Sequence, residues 1–238
     1  MMEKGGNACE NILEGRKVAR KYNLRDKEIE VLKGVDFTLR RGERVLIKGR
    51  SGAGKSTLLS LLAGLEPPTS GDIIFDGQNM KKLSSEEQSF IRRNKTGIIF
   101  QNFNLLPSWS ACENVEAALF FTGLSRDEKR KKSSELLAKV GLGDRLDNLP
   151  AELSVGQQQR VAVVRALANE PGMIFADEPT GDVDRETAGE ITDILFSWIR
   201  QRGASLLVVS HGDFPVDNID RVLVLEGGVL SCPKQETE

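Results

Sequence analysis

The chain has few cysteines, few aromatic residues and no long apolar run. Cys9, Cys112 and Cys232 are its only cysteines and lack metal-ligand spacing, so we expect free thiols in a reducing compartment. No stretch approaches the roughly 18 consecutive apolar residues that a spanning helix needs, and the N-terminus has no apolar signal-peptide core. We therefore expect a cytoplasmic protein that depends on another chain for any membrane-spanning part.

The charges are also close to balance. The 33 Lys and Arg residues face 35 Asp and Glu residues, which gives a formal net charge of −2. No overall basic field favours nucleic acid or an anionic bilayer, so we expect no nucleic-acid partner. The length of 238 residues suits one α/β domain, or one core with an inserted subdomain.

Turn residues divide the chain into segments of different periodicity. Residues 1–13 are predicted to form a flexible tail, and residues 14–238 a single domain. Alternating segments between Ile12 and Leu39 predict an N-terminal antiparallel β part. Between about residues 102 and 165 the pattern becomes helical, and afterwards strand and helix alternate. These patterns predict an α/β fold with a mixed, largely parallel sheet and an inserted α-helical subdomain.

One glycine-rich segment fits the phosphate-loop pattern G-x4-G-K-[ST] and lies between a short apolar strand and a helix. Glycines allow backbone N–H groups to turn toward phosphate oxygens, and the helix N-terminus adds its positive dipole end. Lys55 is predicted to contact the β- and γ-phosphates of ATP, and the Ser56 hydroxyl to bind Mg²⁺. The segment predicts a P-loop NTPase core; its nucleotide-binding residues are Gly49, Arg50, Ser51, Gly52, Ala53, Gly54, Lys55, Ser56 and Thr57.

A second apolar strand, residues 173–176, ends in two acidic residues. Asp177 is predicted to hold Mg²⁺, directly or through water. Glu178 is then the candidate general base that polarises the attacking water. An acidic pair at a strand end can also cap the following helix, but the phosphate loop upstream favours the catalytic interpretation.

The segment LSVGQQQR at residues 153–160 resembles the LSGGQ signature of ATP-binding-cassette proteins, and the resemblance covers nearly the whole chain. It implies that Gln101 is the Q-loop glutamine, with catalytic and Mg²⁺-binding roles, and that His211 is the catalytic switch histidine. It also implies ATP contacts from Tyr22, which would stack on adenine, from Asp184 of the D-loop, and from Ser154, Gly156 and Gln157 of the signature.

The resemblance also implies how such a protein works. Two copies, here a homodimer, pack head to tail, so that each ATP lies between one phosphate loop and the signature of the partner. Closure on ATP drives integral membrane permease subunits, which places the chain peripherally at the cytoplasmic face of the inner membrane. The residues around the motifs are similar to those of the group that includes lipoprotein-releasing, macrolide-efflux and cell-division ATPases.

Two classes of function stay open at this point. The first is a transport or mechanotransmission ATPase bound to a membrane partner. The second is a soluble cassette ATPase that acts on DNA, ribosomes or cofactor assembly, although the chain lacks the coiled coils, zinc modules or second cassette typical of several such proteins. The apolar residues after Gln101 are predicted either to line a groove for a permease helix or to pack the helical subdomain; they are Phe103, Leu105, Leu106, Pro107 and Trp109.

The signature departs from the family pattern at Val155, which replaces the first glycine of the usual pair of glycines after the serine. A β-branched residue excludes positive φ and crowds the approach to the γ-phosphate. We expect the signature still to bind ATP, with reduced hydrolysis.

Overall fold

The computed structural model describes residues 11–24, 27–212 and 214–233, which form ten strands and six α-helices. The strands are β1 (Asn11–Leu24), β2 (Lys27–Arg40), β3 (Arg44–Lys48), β4 (Ser70–Phe75), β5 (Gln78–Asn79), β6 (Thr96–Ile99), β7 (Met173–Asp177), β8 (Ser205–Ser210), β9 (Arg221–Glu226) and β10 (Val229–Ser231). The helices are α1 (Lys55–Leu62), α2 (Ser85–Lys95), α3 (Ala111–Glu116), α4 (Arg126–Lys139), α5 (Val155–Leu167) and α6 (Arg185–Arg202).

The strands form two sheets. A four-stranded antiparallel sheet has the order β2-β1-β4-β5, and a six-stranded sheet has the order β10-β9-β3-β8-β7-β6. In the larger sheet only the β9–β10 hairpin is antiparallel. The predicted fold class is confirmed, including the antiparallel N-terminal part and the helices between β6 and β7.

Short polar signals fix where the helices begin. Helices α2, α3 and α4 each start with a capping box. In this motif a serine side chain accepts a hydrogen bond from the backbone N–H of the glutamate three residues later, and the glutamate side chain accepts one from the serine N–H. The serines are Ser84, Ser110 and Ser125. Helix α6 ends at Gly203, whose φ of 62° is the left-handed conformation that favours glycine.

Both faces of the larger sheet are covered, as expected for parallel strands. Val45 and Ile47 of β3 pack with α1 and the antiparallel sheet, whereas Leu46 faces α5 and α6 on the other side. A third cluster, which includes Cys112, Leu137 and Val161, joins α3, α4 and α5. The helical segment therefore has an apolar core of its own.

The predicted tail extended too far, because β1 begins at Asn11 and Leu13 is fully buried between strands; residues 1–10 lie outside the described part of the chain. Helix α2 was not predicted, although its capping box was a readable signal.

Cys112 and Cys232 are free thiols, and burial raises the pKa of Cys112 to about 12; Cys9 lies outside the described residues. Among the described residues, no helix is long and apolar enough to cross a membrane.

Strand β6 approaches helix α5 closely at Gly97. A Cβ atom there would lie 2.3 Å from the Ala166 carbonyl oxygen and 2.9 Å from Pro171 Cγ. Backbone cannot move aside as a flexible side chain can, so this contact requires glycine. A Cβ atom at Gly172, just before β7, would have open space around it.

We predict that Gly97→Ala lowers the free energy of unfolding by about 1–3 kcal/mol, the usual cost of overpacking. Gly172→Ala is the matched control and should leave stability unchanged or slightly higher, because alanine reduces the freedom of the unfolded chain. Urea unfolding of both variants measures the difference. Equal stability of the two variants would contradict the close contact.

Candidate functional site

Four neighbouring parallel strands bring the predicted site residues to one edge of the sheet. Strands β3, β8, β7 and β6 lie side by side in that order. The phosphate loop follows β3, His211 follows β8, Glu178 follows β7, and Gln101 follows β6. Ligands of open α/β sheets bind at the carboxyl ends of the strands, so this edge is where a nucleotide site belongs.

The phosphate loop has the backbone conformation that its glycines permit. Gly52 and Gly54 have φ values of 77° and 96°, in the left-handed region. A Cβ atom at Gly49 would lie 2.5 Å from the Leu225 carbonyl oxygen, so this position requires glycine for a close approach. Lys55 is the first residue of α1, and the loop therefore leads directly into a helix N-terminus.

The Lys55 side chain is buried inside the site. Its Nζ donates to the carbonyl oxygens of Gly49 at 3.0 Å and Arg50 at 3.3 Å. The same Nζ lies 3.5 Å from Glu178 Oε1, and both side chains are less than a tenth exposed. A buried ammonium needs such oxygen partners, and phosphate oxygens could replace them.

Glu178 is the centre of the site. Its backbone φ is 48°, a left-handed conformation that costs a non-glycine residue roughly 1–2 kcal/mol. Glu178 Oε1 lies 2.7 Å from His211 Nδ1, and Oε2 accepts from the His211 backbone N–H at 3.1 Å. The structure therefore brings together three of the four predicted catalytic residues: Lys55, Glu178 and His211.

Ser56 and Asp177 form a pair of hard oxygen donors beside Lys55. Ser56 Oγ donates to Asp177 Oδ1 at 3.0 Å. Burial raises the pKa of Asp177, against the opposing effect of the Ser56 hydrogen bond. Within the described ranges no group of three or more His, Cys, Asp or Glu residues could hold a metal ion. One hydroxyl and one carboxylate fit Mg²⁺, which takes one or two protein oxygens and completes its shell with water and phosphate.

The signature segment forms the start of α5. Ser154 is the N-cap: its Oγ accepts from the Gln157 N–H at 3.3 Å, and its N–H donates to Gln157 Oε1 at 2.9 Å. Gly156 packs against α6, because a Cβ atom there would lie 2.7 Å from Thr187 Cγ2. Val155, the first helical residue, is half-exposed.

The strain expected of Val155 is absent. Neither Val155 nor Gly156 is among the residues with positive φ, because both are helical. The conformational reason for reduced hydrolysis was therefore wrong. Only crowding by an exposed isopropyl group at the helix start is left to support that expectation.

Three predicted residues stand apart from this centre. Gln101 is exposed in the turn after β6, and no described hydrogen bond joins its side chain to Lys55 or Glu178. Tyr22 stacks under the guanidinium of Arg20, 4.6 Å from the ring centroid, and its hydroxyl donates to Glu66 at 3.4 Å. Tyr22 does not line the cavity of about 590 Å³ beside the phosphate loop.

Asp184 is the N-cap of α6, where its carboxylate accepts from Thr187 N at 3.0 Å and Thr187 Oγ1 at 2.7 Å. These two hydrogen bonds lower the pKa of Asp184. The ATP contacts predicted for Asp184 and Tyr22, and the catalytic and Mg²⁺-binding roles predicted for Gln101, stay predictions.

Two polar residues of α5, the buried Gln159 and the half-buried Arg165, were missed by the sequence reasoning. Gln159 Nε2 donates to the Pro179 carbonyl oxygen at 2.7 Å, which ties the signature helix to the residue after Glu178. Arg165 donates to the carbonyl oxygens of Phe103 and Asn104, both at 2.6 Å. Phe103 and Asn104 have positive φ, so Arg165 holds a strained turn just after Gln101. Polar residues on the inner side of an otherwise apolar helix were the available signal.

The apolar run after Gln101 divides in two. Leu105 packs against the apolar core of α3, α4 and α5, as the packing alternative predicted. Leu106, Pro107 and Trp109 are exposed, and none of them lines the groove of about 550 Å³ between α2, β6 and α5.

A phosphate loop, a magnesium-type oxygen pair and a buried glutamate at one edge of a parallel sheet define a phosphate-loop ATPase. The profile of the ABC transporter family matches residues 32–181, more than half of the chain. The chain belongs to the ABC transporter family, as an ATP-binding subunit with ATPase activity.

Named relatives and solved structures agree with this assignment. The chain is 42% identical over 222 residues to the ABC transporter ATP-binding protein YbbA of Escherichia coli, covering 93% of this chain and 97% of the relative. It is 40% identical to the lipoprotein-releasing system ATP-binding protein LolD of Legionella pneumophila, covering 92% and 96%. A dimeric structure of the ATP-binding cassette MJ0796, bound to ADP and Pi, has a TM-score of 0.86 at 38% identity, covering 92% of this chain and 96% of that one.

The raised pKa of Asp177 gives a test of its role. Above its raised pKa this partly buried carboxylate is ionised at a cost to folding, and that cost declines as pH falls through the raised pKa toward the ordinary pKa of an aspartate. We predict that Asp177→Asn raises the thermal unfolding midpoint measured without nucleotide at pH 7.5, and that the gain shrinks toward pH 4. The same variant should lose the stabilisation that ATP with Mg²⁺ gives the parent.

The control for this variant is Asp182→Asn, a change to an exposed carboxylate in the next turn, which should leave both midpoints unchanged. A lower midpoint for Asp177→Asn without nucleotide would contradict the desolvation argument. Full retention of the Mg²⁺-dependent stabilisation would contradict the proposed metal ligand.

Proposed function

We propose that the chain hydrolyses ATP with Mg²⁺ and drives an integral membrane permease from the cytoplasmic face of the inner membrane. The proposal rests on the position of Glu178, which lies between Lys55 and His211 at the edge of the sheet where the phosphate loop begins. This carboxylate lies where a water next to a γ-phosphate would need a proton acceptor.

Each residue has a distinct part in the reaction. Lys55 exchanges the Gly49 and Arg50 carbonyl oxygens for β- and γ-phosphate oxygens. Glu178 accepts a proton from the water whose oxygen bonds to the γ-phosphorus, while the bond from that phosphorus to ADP breaks. His211 holds the carboxylate through Nδ1 and the backbone N–H. Ser56 and Asp177 would hold Mg²⁺, which would neutralise charge on the phosphate oxygens.

A second copy of the chain completes the site. The start of α5 offers Ser154 and the first free N–H groups of a helix, a setting that binds anions. Within the described residues no hydrogen bond or ion pair joins Ser154 to its own phosphate loop, and Ser154 and Val155 are exposed. The structures of MJ0796 are dimeric, which supports a homodimer of this chain. In the head-to-tail arrangement that we propose, this helix start faces the ATP of the partner.

The relatives support a transport role. LolD is named for a lipoprotein-releasing system, and a 38% identical segment belongs to the macrolide export protein MacB of Syntrophobacter fumaroxidans, of which this chain covers 31%. We place this chain in the same lipoprotein-release and efflux group, with integral membrane permease subunits as its partners and no nucleic-acid partner.

The exposed Val155 side chain is expected to slow the approach of the two copies. We predict that Val155→Gly raises the maximal ATP turnover per chain, since it removes crowding at the helix start. Val155→Ala is the control that keeps helix propensity and should give most of the same gain. Steady-state phosphate release measures both. Unchanged turnover in both variants would contradict the crowding argument.

The proposal as a whole is tested with Glu178→Gln. Loss of a general base costs about 10²–10⁴-fold in rate, so this variant should bind ATP and hydrolyse it slowly. Tagged and purified with ATP from detergent-solubilised native membranes, it should bring an integral membrane protein in stoichiometric amount, whereas Lys55→Ala should bind no ATP. Recovery of ribosomal, nucleic-acid or assembly partners from the soluble fraction would contradict the transport role.

A further inference from the structure

Tyr22 is the only tyrosine of the chain, and two charged side chains hold its ring. The guanidinium of Arg20 covers one face, with its Cζ atom 4.6 Å from the ring centroid. The Tyr22 hydroxyl donates to Glu66 Oε2 at 3.4 Å. A guanidinium stacks well on an aromatic face, because the face carries negative charge and both groups are flat. We call Arg20, Tyr22 and Glu66 the tyrosine platform.

Arg20 is itself fixed by the segment that follows α1. Its Nη2 donates to Glu66 Oε2 at 2.6 Å, and its Nη1 donates to the Pro67 carbonyl oxygen at 2.8 Å. The side chain is 19% exposed, and its Nε is buried without a hydrogen-bond partner among the described residues. An unpaired buried N–H costs free energy, which the contacts with the ring and with Glu66 must offset.

The backbone on both sides of Arg20 is tied to the same segment. The Thr69 N–H donates to the Ala19 carbonyl oxygen at 2.9 Å, and the Lys21 N–H donates to Thr69 Oγ1 at 3.0 Å. These bonds fix the end of β1 against the residues after α1. The Tyr22 ring therefore has a rigid support, which is what a precise binding contact requires.

The tyrosine platform lies one strand away from the phosphate loop. Strand β2 touches that loop, because a Cβ atom at Gly54 would lie 2.8 Å from Val31 Cγ1. Two residues before Val31, Ile29 pairs with Tyr22 across β1 and β2. Ile29 is exposed and lines the cavity of about 590 Å³ beside the phosphate loop. A nucleotide held by its phosphates in the loop can therefore place its base over β2 and β1 at this level.

A base stacks most tightly on a ring that is already oriented, since immobilising a free side chain costs binding free energy. Tyr22 is half-buried, and among the described residues it has one cation partner and no aromatic partner. Arg20 takes one face of the ring and Glu66 takes the hydroxyl. The opposite face is the one on which a base would stack.

We propose that Arg20 and Glu66 are positioning residues for the nucleotide: they orient the Tyr22 ring so that the adenine base stacks on the face that Arg20 does not cover. The inference rests on the proposed function, specifically on a nucleotide bound at the phosphate loop. It adds two residues that act on the base only through Tyr22. An arginine with a purely structural role would join β1 to the segment after α1 and have no effect on the base.

The single tyrosine gives a direct spectroscopic test. The full chain is produced with 3-fluorotyrosine, so its fluorine NMR spectrum has one protein signal, that of Tyr22. ADP with Mg²⁺ should shift this signal through the ring current of the stacked base. Inorganic pyrophosphate with Mg²⁺ occupies the phosphate loop without a base and should leave the signal almost unmoved. Arg20→Met should remove most of the shift caused by saturating ADP, and an unchanged shift in that variant would overturn the inference.

Binding constants separate the base from the phosphates. Arg20→Met keeps the length of the side chain and should raise the Kd for ADP about fivefold or more, as expected for lost base stacking, with the Kd for pyrophosphate unchanged. The KM for ATP should rise in the same proportion at constant kcat, because Arg20 has no described contact with Glu178. Arg20→Lys keeps a cation near the ring and should raise the Kd for ADP only about twofold. Arg16→Met removes an exposed ion pair of the same strand and should change nothing.

The outcomes separate the two proposals. Equal loss of ADP and pyrophosphate binding in Arg20→Met would overturn the inference, because Arg20 would then act on the fold alone. If Arg20→Met does not fold, judged by thermal unfolding, Glu66→Gln takes its place with an expected loss of about threefold in ADP binding only. ATP turnover by the unaltered chain without any ADP-induced shift of the Tyr22 signal would overturn the inference and leave the proposed function intact. Failure of the unaltered chain to bind ADP and ATP would overturn both.

Discussion

The contacts of Glu178 with Lys55 and His211 are the constraint on which the rest of the site depends. A carboxylate with only 5% of its side chain exposed needs charged or polar partners, and it receives an ammonium and an imidazole. Those partners follow β3 and β8, so the carboxylate can meet both only if β8 lies between β3 and β7, as it does. The order of the strands and the chemistry of the site are therefore linked.

The same region connects the site to the rest of the molecule. The chain just after Glu178 accepts a hydrogen bond from Gln159, and Thr187 packs on Gly156 at the start of α5. Arg165, further along α5, holds the turn that follows Gln101. Helix α5 thus contacts the segment after Glu178 near its start and the turn after Gln101 near its end.

Much of this arrangement could be predicted from the sequence, because local motifs carry their own conformation. The phosphate loop, the acid pair after a strand, and the alternation of strand and helix after about residue 165 were all readable from spacing and periodicity. The strand order could not be read, since it depends on which distant strands pair. The helical φ of Val155 was misjudged, because a glycine in a family pattern was taken to mean positive φ; at the neighbouring Gly156, close packing on Thr187 is the reason for glycine. Arg165 and Gln159 donate hydrogen bonds to backbone carbonyl oxygens that lie close to them only in the folded chain.

We propose that one chain supplies half of each ATP site and that a second copy supplies the rest. Sedimentation velocity of Glu178→Gln at saturating ATP and Mg²⁺ distinguishes this arrangement from a site formed within one chain. We expect a dimer with ATP that returns to monomer with ADP, since the exposed start of α5 gains a partner only through the γ-phosphate. A monomer carrying one bound ATP per chain under these conditions would contradict the shared site.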